Sequence, residues 1–201
     1  MRRKEIDTLL DALDTAVNSN SFWITLPVNE DKNMLEKDII QHLKTGSFHF
    51  ELVKDDIRRG LYQYSELIFP KGIVSPTVLQ TPGNVWNEKE NLTMKLITRE
   101  MTTEFLIDLL TGSEKYFSKS HLGTQYNYDD ATNLAYDFLE ALNENGKWEA
   151  YNIKPDFLNQ IDDFYNTNYI QLGYFENCGR DLALGIVYED EINILLVNGY
   201  S

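Results

Sequence analysis

Residues 182–197 read LALGIVYEDEINILLV. Two runs dense in aliphatic side chains, Leu182–Tyr188 and Ile192–Val197, flank the acidic triplet Glu189, Asp190 and Glu191. Strand-length apolar runs joined by so short a polar turn predict a β-hairpin, and a hairpin imposes antiparallel pairing.

Working outward from this hairpin, Tyr169–Phe175 is a further strand candidate, and Lys154, Pro155 and Asp156 open an expected helix carrying Leu158, Ile161 and Tyr165. Trp148–Ile153 reads as a strand. Before it, Leu134, Ala135, Phe138, Leu139 and Leu142 recur at helical spacing from about Asp129 to Asn143, with acidic residues in the first turn that suit the helix dipole. Thr102, Thr103 and Glu104 introduce a short helix that runs through Leu110 and stops at Gly112, and Leu92–Thr98 is a strand candidate. Segments 113–128 and 70–91 read as loops, the second punctuated by Pro70, Pro76 and Pro82.

Nearer the N-terminus, Ile6, Leu9, Leu10, Leu13, Ala16 and Val17 predict an amphipathic helix over residues 4–18. A strand over Phe22–Val28 follows, then a helix marked by Leu35, Ile39, Ile40 and Leu43 and closed by Gly46. Ser47–Val53 alternates, with Phe48, Phe50 and Leu52 on one side and His49, Glu51 and Val53 on the other, and so predicts a half-buried strand. It would turn at residues 55–60 and return through Leu61–Phe69. Hairpins at both ends, with helices interspersed, give an α+β class: one domain over residues 1–201, with a mixed, mostly antiparallel sheet and helices packed mainly on one face. The other sheet face would be partly open.

The length of 201 residues allows roughly 70% of the unfolded surface to leave water, enough for a core without staples. The lone cysteine, Cys178, cannot form an internal disulfide, and no paired Cys or His spacing marks a metal site, which points to a reducing, cytoplasmic setting. No run approaches the ~18 apolar residues that span a bilayer, and Asp7, Asp11 and Asp14 interrupt any signal-peptide reading of the basic start. The formal charge of −14 is unevenly placed: residues 121–201 hold 3 Lys/Arg against 14 Asp/Glu. Such a field repels phosphate backbones and anionic membranes, which argues against direct nucleic-acid or membrane binding, and it attracts basic protein surfaces.

Chemistry is sparse. On a strand, His49 and Glu51 would project to one side about 7 Å apart, near enough to serve as a general acid/base pair or as two metal ligands, with Tyr62 and Tyr64 facing them from the return strand. A polar outer face explains the same alternation, and His42 and His121 have no placement that would complete a metal site. Cys178 has a neighbouring guanidinium, Arg180, but also nearby acids, Glu176 and Asp181, and no sequence-adjacent histidine. No glycine pattern cradles phosphates, and no cofactor is implied. What remains is recognition: Asp129, Asp130, Glu189, Asp190 and Glu191 to steer a basic partner, with Tyr188 as an anchor beside the hairpin tip. The expectation is a non-catalytic acidic binding protein, an inhibitor or immunity-type protein that neutralises a basic protein such as a nuclease toxin. The alternatives are a small hydrolase using His49 and Glu51, and a structural subunit.

Overall fold

A computed structural model describes residues 4–61, 92–118, 123–155 and 180–198. The expected strand at 169–175, the helix opening at 156, the return strand beyond residue 61, the loop at 70–91, His121 and Cys178 fall outside those residues.

The hairpin forms as expected. Strands β4 (Leu182–Val187) and β5 (Glu191–Val197) pair antiparallel, with Val187 opposite Ile192 and Leu182 opposite Val197. On one side β5 takes β1 (Phe22–Pro27), Phe22 opposite Leu196; on the other, β4 takes β3 (Glu149–Pro155), which takes β2 (Leu92–Ile97). The resulting order is β1-β5-β4-β3-β2, with every described pair antiparallel, in an α+β fold.

The described helices are α1 (Lys4–Val17), α2 (Leu35–Thr45), α3 (Ser47–Arg59), α4 (Arg99–Thr111) and α5 (Tyr128–Asn143), with a 3-10 turn at Lys32–Met34 before α2. The strand expected at 47–53 is instead the first half of α3. Two glycines in the left-handed region, Gly46 at φ 78° and Gly60 at φ 70°, bracket it, and its buried set Phe48, Leu52 and Val53 is spaced for a helix face. Helix α4 starts a turn earlier than expected, where the Thr98 hydroxyl oxygen accepts the Met101 amide.

The sheet is covered on both faces, so the partly open face expected from the sequence is occupied. Trp23, Leu184, Ile186, Leu195 and Val197 pack against α1, α4 and α5, and the rings of Trp23 and Phe138 meet edge to face at 5.5 Å. Alternate residues of the same strands, Phe22, Ile24, Ile194 and Leu196, pack against Leu35, Ile39 and Leu43 of α2 and Phe48 and Leu52 of α3. Two buried faces explain why β4 and β5 are apolar at nearly every position.

The edge strand β1 is closed by side chains. The Trp23 amide donates to Asp55 Oδ2 at 2.9 Å, Pro27 has no amide to offer, and the Pro27 carbonyl accepts His42 Nε2 at 2.7 Å. The other ring nitrogen, Nδ1, lies 2.7 Å from the Ser47 hydroxyl. Round the same edge, Arg59 joins α3 to α1: its Nη2 lies 2.7 Å from Asp11 Oδ1 and 2.8 Å from Asp14 Oδ2, while Nη1 donates to the Ser21 carbonyl. At the opposite edge the Met94 amide of β2 donates to Glu36.

Two further contacts fix the helices on the first face. The Thr124 amide donates to the Thr15 carbonyl and the Tyr126 amide to that of Leu110, both at 2.9 Å, so residues 123–126 tie the C-terminal turns of α1 and α4 together. Gly123 runs so close that a Cβ there would collide with the Ala16 carbonyl. Buried Asp108 of α4 gathers the next loop: it accepts the Tyr116, Phe117 and Lys115 amides at 2.6, 2.9 and 3.1 Å and the Ser113 hydroxyl. Arg180, fully buried, donates to the Leu109 and Ser118 carbonyls and holds the start of β4 against the end of α4.

Candidate functional site: an acidic corner and a tyrosine groove

The hairpin tip is a stiff display of carboxylates. The Tyr188 amide donates to the Glu191 carbonyl at 2.9 Å and the Val28 amide to that of Asp190 at 3.0 Å, so the turn is pinned from within and from the end of β1. Glu189 and Asp190 are exposed, with no ion-pair partner among the described residues; half-buried Glu191 accepts the Asn193 amide group at 2.9 Å. Beside the tip lies an open cleft of about 500 Å³, bordered by Glu30, Lys32, Gly146, Lys147 and the three tip acids. Lys32 is already taken by Glu149 at 2.7 Å, and that lysine and the Tyr151 hydroxyl hold the Glu149 carboxyl below its usual range. In turn, burial and the Glu149 charge push the Tyr151 hydroxyl up to about 12.

Tyr188 is not a surface anchor. It continues the inward-facing series 182, 184 and 186 of β4, so its ring enters the core, leaving the residue 8% exposed, and its hydroxyl donates to the Leu142 carbonyl at 3.0 Å. Its role is to seat the corner on the end of α5.

Asp129 and Asp130 stand at the other end of that helix, about 20 Å from its C-terminus at 1.5 Å per residue, so the two acidic groups do not form one patch. Both are exposed, and Asp130 is part of the cap: Asn127 accepts its amide at 2.9 Å and donates to its carboxylate at 2.7 Å. Beside them begins a feature that sequence reasoning missed. Tyr128, Thr132, Tyr136 and Glu140, one turn apart along α5, form one wall of a groove of about 400 Å³ whose other wall is α4, with Glu100, Thr103 and Ile107. Tyr128 and Tyr136 are 67% and 57% exposed, conspicuous for rings on a well-packed helix. The i, i+4, i+8 spacing was legible in the sequence, but a loop expected through residue 128 and a helix expected from Asp129 leave Tyr128 off the stripe.

The two helices run antiparallel, since the end of α4 meets the start of α5 at Leu110 and Tyr126, while Arg99 at the start of α4 stacks over Trp148 at 4.3 Å. Lys115 sits 2.8 Å from Glu104 and the Tyr116 hydroxyl donates to the same carboxylate, which holds Glu104 below its ordinary range. Glu100 is likewise held low, by its own amide and by Thr98. Of the residues lining the groove Arg99 is the one cation, and Glu140 has no ion-pair partner among the described residues.

The His49 and Glu51 pairing loses its geometric basis, because positions two apart on a helix lie about 200° apart around the axis, where a strand would align them. Glu51 pairs with Lys54 at 2.9 Å and lines an open cleft of about 430 Å³ at the β1 edge, where the fold brings it together with Asp55, Arg58, Glu191 and Asn193. Among the described residues no group of three or more His, Cys, Asp and Glu side chains is placed to hold a metal ion, and no helix is long and apolar enough to cross a membrane. No protein-family model, curated protein or solved structure matches this chain.

Proposed function

We propose that this is a non-catalytic binding protein of the cytoplasm that recognises a basic protein and neutralises it, as an inhibitor or immunity-type protein does with a nuclease toxin. The observation that carries the reading is the acidic corner: Glu189 and Asp190, exposed and without an ion-pair partner among the described residues, on a turn pinned by two backbone hydrogen bonds, beside an open cleft that Glu30 also borders. Carboxylates held rigidly at a convex tip steer a cationic surface into register and lose little freedom when it docks. The strong negative charge of residues 121–201 extends the same field.

The test is kinetic. A partner captured from lysate at low salt is purified, and its association is followed as ionic strength rises, since the Debye length falls from ~30 Å at 0.01 M to ~8 Å at 0.15 M. The expected result is a steep fall in on-rate for the native protein, and a slow, nearly salt-independent on-rate for the triple variant Glu189→Lys, Asp190→Lys, Glu191→Lys. A partner whose binding ignores both salt and the triple reversal overturns the reading.

A further inference from the structure

We infer that the groove between α4 and α5 is the seat of an arginine-bearing helix supplied by the basic partner. This deepens the reading above and rests on it, but on a different surface. A groove between two antiparallel helices, with a wall of 13 residues on one side and 16 on the other, offers a trough about 20 Å long at 1.5 Å per residue, which fits a helix of three to four turns. Its floor is narrow and apolar at Ile107 and Leu139, as helix-in-groove recognition requires.

The charges choose the occupant. Three carboxylates, Glu100, Glu104 and Glu140, line the groove against one cation, Arg99, whose side chain is held over the Trp148 ring, and Lys115 pairs with Glu104. Because the helices are antiparallel, Glu100 near the start of α4 and Glu140 near the end of α5 belong to the same end of the trough. One turn from Glu140 lies Tyr136, and two turns beyond that Tyr128, both with their rings largely in water. A guanidinium is the group that uses all of these: it pairs with carboxylates through its fork and stacks on aromatic faces. Arginines one turn apart on a helix would meet the carboxylate end and the Tyr136 ring together. The trough ends at Asn143, and the corner begins two residues on at Asn145, so a helix laid along α5 delivers its partner's body to the hairpin tip.

The probe is a fluorescein-labelled, alanine-based peptide of about sixteen residues with arginine at every fourth position, followed by anisotropy at low salt against the full chain. Three comparisons decide. A central proline in the peptide should weaken binding at least about tenfold if a helix is required. The double variant Tyr128→Ala, Tyr136→Ala should weaken it about tenfold, whereas Tyr128→Phe, Tyr136→Phe should retain it, because the rings do the stacking. The triple reversal at residues 189–191 should change it less than about threefold once salt is raised to 0.15 M. Equal binding of the proline peptide, or indifference to loss of both tyrosines with circular dichroism unchanged, overturns the groove. Failure of the corner reading would show separately, as a captured partner indifferent to the triple reversal.

Discussion

Asp14 and Asp108 are both carboxylates drawn into the protein, and the fold treats them in opposite ways. Asp14, at the seam between α1 and α3, has a guanidinium 2.8 Å away and accepts the Ser21 amide at 2.6 Å, yet burial outweighs these and pushes its carboxyl above the ordinary value of 3.8. Asp108 has no cation in hydrogen-bond reach among the described residues. Burial pushes it up too, but the Ser113 hydroxyl and the Tyr116, Lys115 and Phe117 amides together outweigh that and hold it below 3.8. A guanidinium in contact is thus not enough to hold the Asp14 carboxyl at its ordinary value, and Asp108 is held low with no cation in hydrogen-bond reach among the described residues. What separates them is the set of donors set against burial: three amides and a hydroxyl at Asp108, one amide, a hydroxyl and a guanidinium at Asp14.

The comparison can be broken at its strongest contact first. Removing the cation with Arg59→Ala leaves Asp14 buried without it and should cost about 3–5 kcal/mol of unfolding free energy in urea titration; the seam reading fails if the loss stays below about 1 kcal/mol, the scale of a surface pair. Next, Asp108→Ala strands three amides and a hydroxyl and should cost about 2–4 kcal/mol, tempered by the loop's ability to open to water.

A finer test uses the sign of the pH dependence. Asp108 has a folded value below 3.8, so its contribution is present above about 3.8 and is lost as pH falls through the folded value. The stability difference between the native chain and Asp108→Asn should therefore shrink as the solution is acidified below that point. Asp14 runs the other way: its folded value lies above 3.8, so the folded state holds the proton more tightly, and stability linked to this group is lost as pH rises through the folded value. The difference between the native chain and Asp14→Asn should fall as pH climbs above 3.8 through the folded value. Equal slopes for the two variants would erase the contrast. The smallest effect belongs to acids outside the fold's own network: reversing exposed Glu189 and Asp190 to lysine should change the unfolding free energy in urea by no more than about 0.5 kcal/mol.

These differences also show what could be read from the chain. Helices α1, α2 and α5, strands β1 to β3 and the closing hairpin follow from local periodicity and glycine stops. Helix α3 did not, because Phe48, Phe50 and Leu52 satisfy a period of two while Phe48, Leu52 and Val53 equally satisfy a helix; the paired stops Gly46 and Gly60 were the signal that separates them. The covering of both sheet faces was legible in LALGIV and INILLV, runs too continuously apolar for a sheet with one wet side. Of the site, the hairpin acids were found by charge, whereas the burial of Tyr188 depends on Leu142, far back along the chain, and the gathering of a loop by Asp108 on local amides that no apolar period announces. The tyrosine groove lay between, visible as spacing but not as exposure.

The strand order has a bearing on how the protein is made. Strand β5 lies between β1 and β4, so Phe22 waits for Leu196, a partner most of the chain away. During synthesis the helices and β1 emerge early, but the sheet has no neighbour for β1 until the last of these five strands has left the ribosome. Pairing at such sequence separation is slow to nucleate, and an incomplete chain would present β1 with no strand neighbour for its backbone. Nascent chains stalled before residue 191 should therefore be the form that engages chaperones, and folding should commit only once β5 slots into the gap.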